Sequence, residues 1–383
     1  AFSKKLMDWL KYYPDTVQRL RFDLLPKVED FWSAHLSEQM PFLGKFHMSP
    51  PKVPNQRKND ETIEKIFKKK GIKFNQTHFM NSPNVEAAYI ACERYVKGVP
   101  SPDPRTFDRA WDMVSQILTP FVRNSEIKTQ DEVIHECGLH FDGKNAGLPF
   151  TLIDLPFKME MYHDPVTLWW LERQWDNLLR ERASIAHVTV KKEILPAEKL
   201  KSNKLRNVMA VDGGHNMWAQ RLMYDMHDKL NDHPILSMMG LGWSPYRSGM
   251  QVLAEYLGQH PNGWEFDISG CESKIFEDCL SKIAQMKFEW LKPELRTEEN
   301  LIRFKNLYRM ISECPLALPD GNVHLKGKDE AGGNLTGQVG TAHDNTIFAL
   351  FILCFCWLIL VPSGTLRDFM EHVSAICFGD DVT

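Results

Sequence analysis

The sequence predicts an α+β fold, largely helical in its first part and built around a sheet with helices on one face in its second. Three observations predict it. Apolar residues recur at three- and four-residue steps through the first forty positions and again over 83–122. The second half alternates short strand-like runs with helical ones. A run of 15 apolar residues, Ile347 to Val361 (IFALFILCFCWLILV), is shorter than the roughly 20 needed to cross a bilayer. Its default reading is a fully buried helix.

Composition bounds the class. The chain has 383 residues, 43% hydrophobic, 11% aromatic and 25% charged. These are values of a folded chain, which excludes disorder and low complexity. The length argues for two or three lobes. Forty-six basic against 50 acidic residues give a net charge of -4, so no global positive field points to nucleic acid, and any such signal must be local. The 8 cysteines form no Cys-x-x-Cys pair, which argues against structural zinc and a secreted disulfide framework and for a reducing compartment. Ala1 stands where Met would open a complete chain, and no charged-then-apolar leader follows. The expectation is a chain without a signal peptide, cut from something longer and stopping inside a motif.

The elements follow in order. DWLKYY, VQRLRFDLL and KVEDFWSAHL read as short helices divided by Pro14 and Pro26, and Pro41 ends the pattern. Residues 52–73 are basic, either a solvated helix face or a phosphate-contacting surface. Residues 83–122 form a helical block broken by the Pro100, Pro102, Pro104 loop, and residues 143–150 form a turn. A helix with Trp169, Trp170 and Trp175 spans 165–183, and Val188 to Val190 is a short strand. Mixed short elements occupy 206–260 around a turn at Gly240 to Pro245. Trp264 to Ile268 reads as a strand and 275–291 as a helix, with Ile275, Cys279, Ile283, Met286 and Trp290 at helical spacing. Residues 331–337 read as a flexible loop feeding the apolar helix, and Ala375 to Phe378 as a strand running into Gly379-Asp380-Asp381.

Three patterns carry chemistry. Gly379-Asp380-Asp381 places two carboxylates at a tight turn, where they repel unless a cation neutralises them. A plain polar turn explains it equally well. Phe266-Asp267-Ile268-Ser269-Gly270-Cys271-Glu272 puts one acid at a strand end and another five residues on, which a strand-to-helix turn with a capping acid also explains. Gly337, Thr341 and Asn345 are four apart, so Thr341 and Asn345 share a helical face, as they would at an ordinary polar helix start. Between Val188 and Arg206 lie six basic residues (Lys191, Lys192, Lys199, Lys201, Lys204, Arg206) against Glu193 and Glu198, a local +4. That stretch is a solvated loop or a triphosphate site, with Arg206 able to clamp phosphate through two parallel bonds and Lys191 acting as a point charge.

In this order the three patterns resemble the palm motifs of viral RNA-dependent RNA polymerases, especially the picornavirus-like group of positive-strand RNA viruses with its sobemovirus- and astrovirus-like enzymes. Asp267 to Glu272 resembles the first motif, Gly337, Thr341 and Asn345 the second, and Gly379-Asp380-Asp381 the third. Upstream, Asn145-Ala146-Gly147-Leu148-Pro149-Phe150 is similar to the Ser-Ala-Gly-Tyr-Pro-Tyr loop that guides the template. Lys191-Lys192-Glu193 with Lys199, Lys204 and Arg206 resembles the basic fingers motif along the nucleotide path, and Gly240 to Pro245 loosely resembles the turn before the first palm motif. The resemblance spans about 145–383. Three residues depart from it: Glu272 stands where the family usually has Asp, Leu195 where close relatives carry a basic residue, and Thr336 where Ser is usual.

The resemblance implies a right-hand polymerase with helical fingers at 1–260 and 292–331. It implies a palm at 261–291 and 332–383, an antiparallel sheet backed by helices, with the thumb outside this chain. It implies Asp267, Asp380 and Asp381 as catalytic and metal-holding residues for Mg²⁺ or Mn²⁺. Lys191, Lys204, Arg206, Glu272, Gly337, Thr341 and Asn345 would bind the NTP, and Asn145, Gly147 and Pro149 the template. Implied partners are template and nascent RNA, NTPs and other viral replication proteins, in membrane-associated complexes of the host cytoplasm, with no transmembrane segment. A reverse transcriptase shares the palm but usually carries a larger residue than Gly379 before its Asp pair. A non-catalytic RNA-binding module would bind independently of Mg²⁺. Because the sequence ends two residues after Asp381, the hairpin is expected to have almost no second strand.

Overall fold

Capping residues start most of the long helices where the sequence offers them. The computed structural model describes residues 22–23, 40–46, 61–72, 77–96, 102–135, 145–148, 150–152, 155, 157–180, 184–326 and 332–383. Strands β1 (Phe22–Asp23) and β2 (Phe42–Phe46) precede the exposed basic helix α1 (Glu61–Lys69). Strand β3 (His78–Met80) leads to α2 (Val85–Cys92), capped by Asn84. Asp103 caps α3 (Pro104–Val122), with Pro at the first helical position, where its missing N–H costs nothing. After α4 (Gln130–His135) and α5 (Lys158–His163), Asp164 caps α6 (Pro165–Asn177) in the same way.

The remaining elements position the site. Strands β4 (Ala186–Val190) and β5 (Ile194–Pro196), α7 (Ala197–Lys201) and β6 (Asn207–Ala210) carry the second basic stretch. Then come α8 (Gly213–Asn231), α9 (Gly249–Leu257), β7 (Phe266–Asp267) and α10 (Cys271–Lys274). Helices α11 (Glu277–Glu289) and α12 (Glu298–Ser312) pack together ahead of the fully buried hairpin β8 (Cys314–Ala317) and β9 (Asn322–Lys326). The chain closes with α13 (Thr341–Leu360), α14 (Leu366–His372), β10 (Cys377–Phe378) and β11 (Asp381–Val382).

Three sheets result. A six-stranded sheet runs β1-β2-β9-β8-β4-β6, antiparallel except for the parallel β4–β8 pair. It joins residues near 45, 190 and 320, so 314–326 shares a sheet with the strands that flank the second basic stretch. A two-stranded sheet pairs β3 with β5, and a three-stranded antiparallel sheet runs β10-β11-β7. Behind the last sheet lies α13, which also packs along α3, with Trp111 stacked on Phe351 at 4.6 Å.

Several expectations need correction. Phe22–Asp23, within a segment read as helix, is a strand, because β2 supplies a ladder that local periodicity cannot show. The other early helices, and much of 52–73, lie outside the described residues. The tryptophan helix ends at Asn177 rather than 183. The span 206–260 holds a 19-residue helix, α8, rather than short elements only. It is buried on nearly all sides, polar His215, Asn216 and Arg221 included, so no apolar stripe marks it. The expected strand at 264–268 shrinks to Phe266–Asp267. The described part of the loop before α13 is held rather than flexible: Asn334 and Leu335 are buried, and Gly333, Asn334 and Gly337 donate their amides to Ile275, Glu272 and Met209.

The apolar helix is long enough to cross a membrane by length and composition, 20 residues, but little more than half of its apolar window is buried. Residues 344–351 are buried throughout, whereas Ala342 at its start and Cys356, Ile359 and Leu360 at its end are exposed. The fully buried reading therefore holds only for the half that backs the sheet. Finally, the hairpin does have a second strand. β11 is the central strand of its sheet, and Thr383 and Ile376 extend the ladder with two further bonds.

Candidate active site

Adjacent strands place the acids together. Asp267 sits directly opposite Asp381 in the β7–β11 register, and Phe266 opposite Val382. Side chains alternate along a strand, so Asp267 and Asp381 share one face while Phe266 and Val382 share the other. A cavity of about 380 Å³ lined by Trp264, Phe266, Leu353 and Val382 lies on that other face, away from the carboxylates. Asp380 occupies the turn, and its carbonyl accepts from the Ile268 amide at 2.9 Å. Gly379 has φ +64° with open space where a Cβ would stand, so the backbone conformation, not crowding, is what asks for glycine.

The neighbouring carboxylates perturb Asp267. The Asp267 carboxyl is raised above its ordinary value by desolvation first, then by the charge of Asp380, a hydrogen bond with it, and the charge of Asp381. Crowded hard-oxygen groups of this kind fit a divalent cation. Among the described residues, no three His, Cys, Asp or Glu side chains are already gathered around a common metal position.

The turn is held from two sides. The Gly379 amide donates to Thr346 Oγ1 at 2.9 Å, and Thr346 is buried in α13. On the other flank Gly240 donates to the Cys377 carbonyl at 2.7 Å and Cys377 to Met238 at 2.9 Å, so the Gly240 turn borders the hairpin.

The second motif reaches the first through its backbone. Asn334 N donates to the Glu272 carbonyl at 2.7 Å. Gly337 lies so close to β6 that a Cβ there would stand 2.5 Å from the Met209 carbonyl, and Thr336 Oγ1 accepts from Met209 N. The hydroxyl of Thr341 turns back onto the Leu335 and Gln338 carbonyls, so it shapes the loop. Asn345 is 5% exposed, and its Oδ1 accepts from Asn334 Nδ2 at 3.0 Å.

The basic stretch between β4 and β6 borders the acids through Arg206. Arg206 is exposed and held above its ordinary range, first by its hydrogen bond to Glu193 and further by the charges of Glu193, Glu272 and Asp380. Lys191 also pairs with Glu193, at 3.1 Å. Glu193 is placed by the buried Asn81, whose side chain accepts from the Glu193 amide and donates to the Lys191 carbonyl. Lys204 is exposed. Asn145 is exposed and its Oδ1 accepts from the Gly147 amide, while the Ala146 carbonyl accepts from Gly213 at the start of α8. Pro149 lies outside the described residues.

Sequence reasoning missed Asn81, Asn334, Gln338 and Thr346. Thr346 directly follows Asn345, and Gln338 falls inside the quoted motif. Their neighbours could have flagged them, but Asn81 and Thr346 bond residues 110 and 33 positions away, and Asn334 and Gln338 meet their partners only in the folded loop.

A family profile described as viral RNA-dependent RNA polymerase matches residues 80–383. The non-structural polyprotein 1AB of Mink astrovirus 1 is 23% identical over 197 residues, covering 50% of this chain and 14% of the polyprotein. The genome polyprotein of Turnip mosaic virus (strain Japanese) is 25% identical over 216 residues, 55% of this chain and 6% of that protein. The chain thus spans a small part of these curated relatives. Among solved structures, the Sicinivirus 3Dpol RNA dependent RNA polymerase superposes with a TM-score of 0.68 at 16% identity, covering 90% of this chain and 71% of that one. That likeness establishes the right-hand polymerase fold.

Proposed function

The chain belongs to the viral RNA-dependent RNA polymerase family, and from that premise we propose that it carries out template-directed synthesis of RNA from NTPs. The observation that carries the reading is the strand register that sets Asp267 opposite Asp381, with Asp380 at the turn between. In this reaction the 3′-hydroxyl of the growing RNA attacks the α-phosphate of an NTP, and pyrophosphate leaves.

Asp267, Asp380 and Asp381 are the residues that would hold divalent ions, Mg²⁺ or Mn²⁺. Bound there, such ions lower the pKa of the attacking hydroxyl and stabilise the leaving oxygens. Arg206, Lys191 and Lys204 neutralise the triphosphate. Glu193 holds the first two in place, so phosphate binding exchanges part of an existing ion pair for a new one. Asn345 and Glu272 face the ribose, and Gly337 and Thr341 shape the loop that presents Asn345. Asn145, Gly147 and Pro149 line the template path. Residues 1–260 and 292–331 act as fingers, and 261–291 with 332–383 as palm. Template and nascent RNA are the partners, together with other viral replication proteins in membrane-associated complexes of the host cytoplasm.

The test is incorporation of labelled NTP on an RNA template by the purified enzyme. Asp380→Ala and Asp267→Ala each lose a metal-holding carboxylate, so incorporation should fall by several orders of magnitude with the fold retained. Chelation should do the same and leave RNA binding in place. Residual activity within about tenfold of the unsubstituted enzyme, roughly 1.4 kcal/mol of barrier, would remove these carboxylates from the chemistry.

A further inference from the structure

A chain of buried amides runs from the start of α13 to Asn345, and its polarity is fixed at one end. The Gly340 amide, which can only donate, gives its proton to Gln338 Oε1 at 2.6 Å. Gln338 Nε2 therefore faces the other way, donating to Asp344 Oδ2 at 2.9 Å and to Asn334 Oδ1 at 3.1 Å. Asp344 is an acceptor there, because its other oxygen takes Lys287 Nζ at 2.6 Å in a fully buried pair. With Oδ1 of Asn334 committed, its Nδ2 must point to Asn345, whose Oδ1 accepts at 3.0 Å. Asn334 and Asp344 are 0% exposed, Gln338 and Asn345 5%. Asn334 cannot drift, since its own amide is bonded to the Glu272 carbonyl at 2.7 Å.

Turning Asn345 over would set two NH₂ groups against each other in a buried place, leaving donors without acceptors. Among the described residues nothing takes the Asn345 Nδ2 protons. Asn345 stands between the Asp267–Glu272 turn, reached through Asn334, and the Gly379 hairpin, reached through Thr346.

We propose that Asn334, through Gln338, fixes the Asn345 carboxamide so that it offers hydrogen-bond donors to the sugar of the incoming nucleotide. Asn334 is then a positioning residue for sugar selection, and the 2′ substituent is recognised as an acceptor. This deepens the polymerase reading and rests on it. A 2′-hydroxyl oxygen satisfies Asn345, and its proton remains free for a carboxylate such as Glu272. A 2′-fluorine accepts but cannot donate, and a 2′-deoxy sugar does neither.

Polarity makes the inference testable with three substrates: an NTP, its 2′-fluoro analogue and its 2′-deoxy analogue. For the unsubstituted enzyme, kcat/KM should fall in that order, the fluoro form exceeding the deoxy form by roughly two- to tenfold. Asn334→Asp keeps an acceptor toward Gln338 but also presents one to Asn345, which turns its Nδ2 inward and its Oδ1 to the sugar. The fluoro substrate should then drop to or below the deoxy one, while the ribonucleotide, able to donate to Oδ1, stays usable. Asn334→Leu removes the anchor and should draw the fluoro and deoxy values together. It keeps the test decisive should the buried charge of Asn334→Asp unfold the chain. A merely structural role would slow all three substrates alike. An unchanged fluoro-to-deoxy ratio in either folded variant overturns the relay, whereas failure of the unsubstituted enzyme to incorporate any nucleotide overturns the polymerase reading beneath it.

Discussion

Thr346 shows how much one hydroxyl can do at the residue scale. It donates to the Ala342 carbonyl within α13 at 2.7 Å and accepts the Gly379 amide at 2.9 Å. Thr346→Val keeps the shape and loses the acceptor, leaving that amide unsatisfied at a cost of about 1–3 kcal/mol. The expected outcome is a lower kcat with little change in the KM for NTP, because the carboxylate turn loosens while the nucleotide contacts remain. Equal kcat in the two forms would show that the turn is held by its strands alone. The acids were legible because Gly-Asp-Asp is a local pattern, and adjacent carboxylates need a cation or a turn whatever the fold. Thr346, Asn81 and Asn334 were not legible, because a polar residue near a helix start looks the same with or without a distant partner.

At the scale of elements, α13 is the support of the site, and its first turn is anchored by charge. Lys287 of α11, fully buried, donates to Asp344 Oδ1 and to His227 Nε2, and Tyr308 also donates to Asp344 at 2.9 Å. Burial lowers the Lys287 ammonium from its ordinary range, and Asp344 opposes that shift. Removing one partner strands a buried charge, so Lys287→Met should destabilise by about 3–5 kcal/mol, read as a lower denaturant midpoint. The double variant Lys287→Met, Asp344→Leu should recover part of the loss, and no recovery would mean that each side chain acts alone. The helix itself was legible as an apolar run. Its exposed end at Cys356, Ile359 and Leu360 was not, because the pattern carries no period to say which face meets protein. The opposite failure hid α8, whose buried polar residues imitate a surface segment.

Across the whole molecule, buried and half-buried histidines tie stability to pH. Burial lowers His215 to about 4 and His343 to about 3, and it also lowers His187 and, well below its ordinary value, His227. The unfolded chain protonates these rings near 6.5 while the folded chain resists, so their stabilising contribution is fully present above pH 6.5. It is lost as pH falls toward the folded values, at up to about 1.4 kcal/mol per pH unit for His215 and for His343. The melting temperature should therefore decline steadily from pH 6.5 to 5, before most carboxylates titrate. A flat profile over that range would show that these rings are protonated in the fold. Charge has a second consequence at this scale. With net charge -4, the proposed RNA binding would rest on local basic surface such as 188–206, and its affinity should fall steeply with salt.

The sequence by itself determined the order of the three acidic and polar motifs, the basic stretch and the helices α2, α3, α6, α11 and α13. These depend on spacing along the chain and on propensities that act over a few residues. The tertiary structure decided the rest, because it joins residues that are remote in sequence. It set Asp267 opposite Asp381 across 114 positions of chain, made β11 a central strand rather than a frayed end, and paired 314–326 with strands near 45 and 190. It also fixed which way Asn345 points. A hydrogen bond has a direction, and that direction is inherited here from a backbone amide at Gly340 and a buried ion pair at Asp344. No single residue type carries that information. It exists only once the partners are packed together out of water.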